Sequence, residues 1–274
     1  MKMINLKFRM NPIAFGVFVT CISILFLLVS GTIVGVSGIP SGYASLAREA
    51  VFLLFAIVFI KMLGLTGSCL HFEAGAFVRG IKIGALFLIV ILPSLGPFFL
   101  ISSKDLLSPG FARIISTVVF AFTIGFAEEL VFRVGILRGT EQYYRSKGLN
   151  PGLKPALISS VMFGLIHGIN FFVNRELVFS TIAQVLYAFG IGLFIAAIYL
   201  ITDNFLVIVF WHGLIDLVAG LRGIFIKGEA GLNLEVAKDI GLIAFIIQVI
   251  IALVFSLAGY KLIKSRQLVN DTKI

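Results

Sequence analysis

The 274-residue sequence predicts an all-α polytopic membrane protein of about eight transmembrane helices, with both termini cytoplasmic. Three observations predict this. Hydrophobic residues make up 59% of the chain and charged residues only 13%, against about half and about a quarter in soluble globular domains. Mean hydropathy is +1.11. Apolar runs close to 20 residues long, the length that crosses a bilayer, recur throughout. No stretch is polar and long enough for a second folded unit, so 1–274 reads as one membrane domain.

The runs lie near 13–35, 48–67, 81–101, 112–137, 155–173, 179–201, 204–220 and 240–263. The first follows Lys2, Lys7 and Arg9, as a signal peptide would. From Ile13 to Val36 it exceeds the roughly 7–15 residues of a signal core, so it reads as a retained anchor. The second carries Lys61 near its end, where the side chain can snorkel. The third follows Arg79 and carries Lys82 at its start. The fourth contains GFAEELVFRVG, residues 125–135, the densest group of charges inside any run. The fifth starts at Pro155 and holds His167 and Asn170. The sixth carries no charge. The seventh is short, joined to the sixth by Thr202, Asp203 and Asn204, and holds His212 and Asp216. The eighth ends at Lys261 and Lys264. Cys21 and Cys69 have no metal-type spacing, and His71 falls in a polar loop.

Orientation follows from the basic residues. One side of the alternating spans collects Lys2, Lys7, Arg9, Arg79, Lys82, Arg138, Arg145, Lys147, Lys154, Lys261, Lys264, Arg266 and Lys273. The other collects Arg48, Lys104, Arg113, Arg175, Arg222, Lys227 and Lys238. The 13 against 7 place the termini in the cytoplasm. The net charge of +9 then suits an anionic inner leaflet and calls for no nucleic acid. The chain is expected in the cell membrane.

Charges at membrane depth cost roughly 2.5–3.5 kcal/mol each on insertion scales, so those retained face a protein interior or a wet cavity. Glu129 and Arg133, four apart, share a helix face and can pair. Glu128 is turned about 100° away and faces something else. Phe163 and His167, and His212 and Asp216, repeat the interval of four. Counted from the cytoplasmic ends, Glu128, His167 and His212 lie roughly 14, 18 and 12 Å deep at 1.5 Å per residue. One carboxylate and two imidazoles thus share a level. Such a carboxylate suits a general base that takes a proton from water. One imidazole can orient that water, and the other, with the side chain one turn on, can stabilise an oxyanion. No Ser or Cys stands beside a base as a nucleophile. Asn170 reads as an interhelical contact, and Glu129 with Arg133 as a pair that shapes the site.

EELVFR (Glu128 to Arg133), FGLIH (Phe163 to His167) and HGLID (His212 to Asp216) resemble, in order, the EExxxR, FxxxH and HxxxN/D motifs of the CAAX protease and bacteriocin-processing family. The region from about 110 to 220 fits that family's core helices. The resemblance implies an eight-helix intramembrane endopeptidase, similar to the type II CAAX prenyl endopeptidase, with a site opening to the cytoplasm and the bilayer. It implies Glu128 as the base, His167 beside it, Glu129 held by Arg133, and His212 with Asp216 at the oxyanion. The prenyl-protease members carry Asn where this chain has Asp216. Ionised Asp only accepts hydrogen bonds, so Asp216 is expected protonated or orienting His212. Zinc is possible from Glu, His and Asp donors, but HExxH is absent and no cofactor is expected. The expected substrate is a peptide or membrane protein. Two other readings are a proton-coupled transporter using the same buried groups and a non-catalytic membrane immunity or binding factor.

Overall fold

The computed structural model describes residues 10–68, 72–227 and 239–271; Cys69 and His71 lie outside them. Eight helices among the described residues are long and apolar enough to cross a membrane: α1 (Pro12–Val36), α2 (Ser41–Met62), α3 (Ala74–Leu100), α4 (Phe111–Ser146), α5 (Lys154–Val173), α6 (Val178–Thr202), α7 (Phe205–Phe225) and α8 (Leu242–Asp271).

Local chemistry sets the helix ends. Asn11 caps α1, its side chain accepting from the Ile13 N–H at 2.9 Å. The Glu73 carboxylate caps α3 by accepting from the N–H groups of Gly75 and Ala76 at 2.8 and 2.6 Å, satisfying donors that the first helical turn leaves free. Asp203 ends α6 in the left-handed region, φ 50°, and Asn204 opens α7 by accepting from the Val207 N–H. Five helices run five or more residues beyond their predicted limits, α2 and α3 at their starts and α4, α7 and α8 at their ends. α3 starts seven residues before 81, because the Glu73 cap carries the helix through Arg79 and Lys82. α4 continues past 137 to Ser146. There Arg138, Glu141 and Arg145 pair along one face, at 2.7 Å (Arg138–Glu141) and 2.8 Å (Arg145–Glu141), and Arg138 also pairs with Asp203. Spacings of three and four let such charges support a helix.

α6 is the centre of the bundle, with 72% of its most apolar window buried against at most half for any other span. It packs α8 on one side and α5 on the other, while α4 packs α7 and α2, and α1 leans on α2 and α5. The core runs through Phe15, Phe52, Phe132, Phe194, Phe205 and Phe255, all nearly inaccessible. On the outer helices Leu25, Leu54, Leu92 and Leu253 stay exposed, the surface that a bilayer solvates.

Connections fix which ends lie together. Leu106 bridges Ile226, and the Asp239 carboxylate accepts from the Phe179 and Ser180 N–H groups at 3.1 and 2.7 Å. These segments mark one end of the bundle. At the other, Asn204 donates to the Glu73 carbonyl and Phe15 lies against Gly139. The start of α1 at Pro12 and the last turns of α8, with Gln267 against Gly152, belong to that second end.

Candidate active site

The site grows from the point where α4 meets α7. The backbones touch there because both carry glycine: a Cβ on Gly125 would stand 2.9 Å from the Gly213 amide nitrogen, and one on Gly213 would stand 2.5 Å from the Phe122 ring. This approach puts Glu128 and Glu129, one turn below Gly125, against His212, next to Gly213. Directly after Glu129 the helix changes hydrogen-bond pattern, and Leu130–Arg138 forms a π-helix. Such segments are rare and frequent at functional sites.

Glu129 is completely buried and joins two partners. Its Oε2 lies 3.0 Å from Arg133 Nε, and its Oε1 lies 2.8 Å from His212 Nδ1. The Arg133 side chain is also fully buried. Its Nη1 donates to Ser159 Oγ at 2.9 Å, and that hydroxyl donates to the Phe132 carbonyl at 2.7 Å. Its Cζ lies 4.8 Å from the Phe163 ring centre, close enough for a cation–π contact. A carboxylate paired with Arg only accepts, so His212 Nδ1 carries the hydrogen. Glu129 thus holds Nδ1 of His212, and Asp216 stands at the opposite nitrogen. His212 Nε2 is 3.5 Å from Glu128 Oε2 and 3.6 Å from Asp216 Oδ2, within Coulombic reach and beyond direct hydrogen bonding.

His167 begins the 3-10 turn that interrupts α5. Its Nδ1 lies 2.8 Å from the Phe163 carbonyl. A carbonyl accepts, so Nδ1 donates, and Nε2 is the acceptor of the neutral ring. Phe163 stands edge-on between the imidazoles, 5.1 Å from His167 and 5.6 Å from His212. Asn170 donates to Gln184 Oε1 at 2.7 Å and so ties α5 to α6.

Glu128 and His167 line a cavity of about 1010 Å³. Its other walls are the second half of α1, the first halves of α2 and α4 and the ends of α5 and α7, with Arg48, Glu49, Arg113 and Thr117 among its polar groups. All of these belong to the end of the bundle opposite the start of α1 and the last turns of α8. A cytoplasmic mouth and cytoplasmic termini therefore exclude one another in this fold. His212 and Asp216 stand behind Glu128 and do not line the cavity.

The three predicted motifs thus meet. Two contributors have no place in the sequence prediction. Ser159 carried a legible signal, since it precedes Phe163 by four residues as Phe163 precedes His167. Glu49 falls at the edge of the second run, 48–67, where a charge gives no signal. Among the described residues, no group of three His, Cys, Asp or Glu side chains has the arrangement of a metal site.

Residues 110–218 match the family model described as type II CAAX prenyl endopeptidase Rce1-like. The three motifs all lie inside the matched segment. No curated protein and no solved structure matches the chain.

Proposed function

We propose that this chain is an intramembrane endopeptidase that hydrolyses a peptide bond with water activated by Glu128, a reading supported by the match of residues 110–218 to the Rce1-like family model. The observation that carries this reading is the placing of Glu128 on the wall of a large cavity, backed by His212 at 3.5 Å. Glu128 takes the proton of a water that attacks the scissile carbonyl, and then delivers it to the leaving nitrogen. His167, with Nδ1 committed to a carbonyl, uses Nε2 to orient that water. His212, steered through Nδ1 by Glu129, faces Glu128 through Nε2 and, when its ring carries both hydrogens, supports the negative charge that develops beside that carboxylate in the reaction. Asp216 flanks that nitrogen and supports the charged ring. Glu129 and Arg133 act on the reaction through His212 and touch no substrate. The chemistry runs without a metal. The substrate is a peptide or protein held in the membrane, and the setting is the cell membrane.

Glu128→Gln tests this. It keeps the shape of the side chain and removes the base, and loss of a general base costs about 10²- to 10⁴-fold in rate. New peptide termini in membrane and secreted fractions, measured by quantitative mass spectrometry, should be present with the wild type and absent with Glu128→Gln at equal expression. Equal profiles from the two would remove the glutamate mechanism.

A further inference from the structure

Glu49 takes no part in the reaction described above, yet it is a carboxylate inside the membrane domain. It sits on α2, its side chain 8% exposed, and lines the same cavity as Glu128 and His167. Among the described residues its one partner is the adjacent Arg48, whose Nε and Nη2 both lie 3.2 Å from Glu49 Oε1. Adjacent residues on a helix do not face each other, so this pair depends on a guanidinium swung back along the helix. Arg48 is 45% exposed in its side chain and free to turn outward. The second oxygen, Oε2, has no hydrogen-bond partner among the described residues.

The charges around the cavity are unevenly answered. Glu49 and Glu128 line it together with Arg48 and Arg113, of which Arg48 alone pairs with a lining carboxylate among the described residues, and the charges of Glu49, Glu128 and Asp216 act on one another. The buried guanidinium of Arg133 is already committed to Glu129. A desolvated carboxylate is expensive unless a donor pairs it. An apolar or acidic occupant would seal Glu49 from water and leave Oε2 unpaired. A lysine or arginine side chain would pair it by a charge-assisted hydrogen bond, with Arg48 displaced toward solvent. We propose that Glu49 is the specificity residue of this cavity and that the site takes peptides with a basic side chain near the bond to be cut. The proposal rests on the endopeptidase reading.

The test is the sequence around the cut sites. Termini produced by the wild type and absent with Glu128→Gln define those sites in membrane fractions, and the proposal expects Lys or Arg enriched at one fixed position beside them. Glu49→Gln should keep cutting and reduce that enrichment roughly 10- to 100-fold, the worth of one hydrogen bond to a charged group. Glu176→Gln, an exposed carboxylate near the same end, should leave it unchanged. Wild-type cut sites without a basic preference overturn the proposal, whether or not Glu49→Gln folds. Retention of the preference in Glu49→Gln also overturns it. So does a Glu49→Gln protein that is folded and monodisperse in detergent yet cuts nothing, since Glu49 would then belong to the chemistry. The absence of any Glu128-dependent terminus removes the endopeptidase reading and this proposal with it.

Discussion

Arg133 shows how a single side chain organises the site. It is the largest fully buried side chain among the described residues, and its charge is tolerable only because Glu129 pairs it and Ser159 receives one of its N–H groups. Removing one partner of a buried pair leaves the other charge stranded, at about 3–5 kcal/mol. Arg133→Ala should therefore lower the thermal unfolding midpoint of the detergent-solubilised protein sharply and release His212 from its steering carboxylate. Ser159→Ala removes one acceptor and should cost about 1–3 kcal/mol in the same measurement. The spacing of EELVFR made the Glu129–Arg133 pair legible in the sequence. It said nothing of the contact from Glu129 to His212, because the two are 83 positions apart and only the packing of α4 on α7 joins them. Asp216 is expected either protonated or orienting His212, from the difference between Asp and Asn in the last motif, and its interval of four puts it on the same helix face as His212. That interval is real, and it brings Asp216 to the other nitrogen.

At the scale of the element, the contact between α4 and α7 decides whether Glu128 and Glu129 meet His212. Gly125→Ala places a methyl group against the Gly213 backbone, and neither side can give by moving a side chain. The strain should cost about 1–3 kcal/mol and separate Glu129 from His212. The expected result is a protein that still inserts, with a lower unfolding midpoint and fewer Glu128-dependent termini; an unchanged profile would show that the helices part without harm. The tie between Asp239 and the start of α6 belongs to the same scale. Slight desolvation pushes that carboxyl up, but the N–H groups of Ser180, Phe179 and Ile240 and the Ser180 hydroxyl outweigh it and hold it below the usual carboxylate range. The cap is therefore at full strength above the ordinary carboxylate pKa and fades as pH falls through the lowered one. Hydrogen exchange at Phe179 and Ser180 should accelerate only in that acid range. The existence of α1 to α8 was legible, since each buries a long apolar run. Their limits were less so, because Glu73 and the Arg138–Glu141–Arg145 row turn polar stretches into helix through contacts that hydropathy does not register. The π-helical turn at Leu130–Arg138 had no signal: LVFRVGILR contains no proline and one glycine.

For the whole molecule, the charge asymmetry and the cavity together make a claim that neither makes alone. With Cys21 and Cys69 replaced by serine, Gly42→Cys would report the cavity mouth and Ser146→Cys the opposite end. If the basic residues orient the chain as the sequence predicts, a membrane-impermeant maleimide should label Gly42→Cys in intact cells and reach Ser146→Cys only after lysis. The reverse pattern would put the termini outside and the mouth in the cytoplasm. The sequence predicted both cytoplasmic termini and, from the family resemblance, a cytoplasmic mouth. Alternation of spans alone does not reveal the conflict, because the walls of the cavity become known only when the halves of α1, α2, α4, α5 and α7 that surround it are seen together.

The separation of the mouth from the start of α1 and the end of α8 also sets apart two aqueous phases. On the endopeptidase reading, the water consumed and the polar product termini released belong to the phase at the mouth, and the helix ends at Pro12 and Asp271 face the other. The acidity that Glu128 meets is therefore that of the first phase alone. On the endopeptidase reading, a change of pH on that side would alter the rate, and a change on the other side would not.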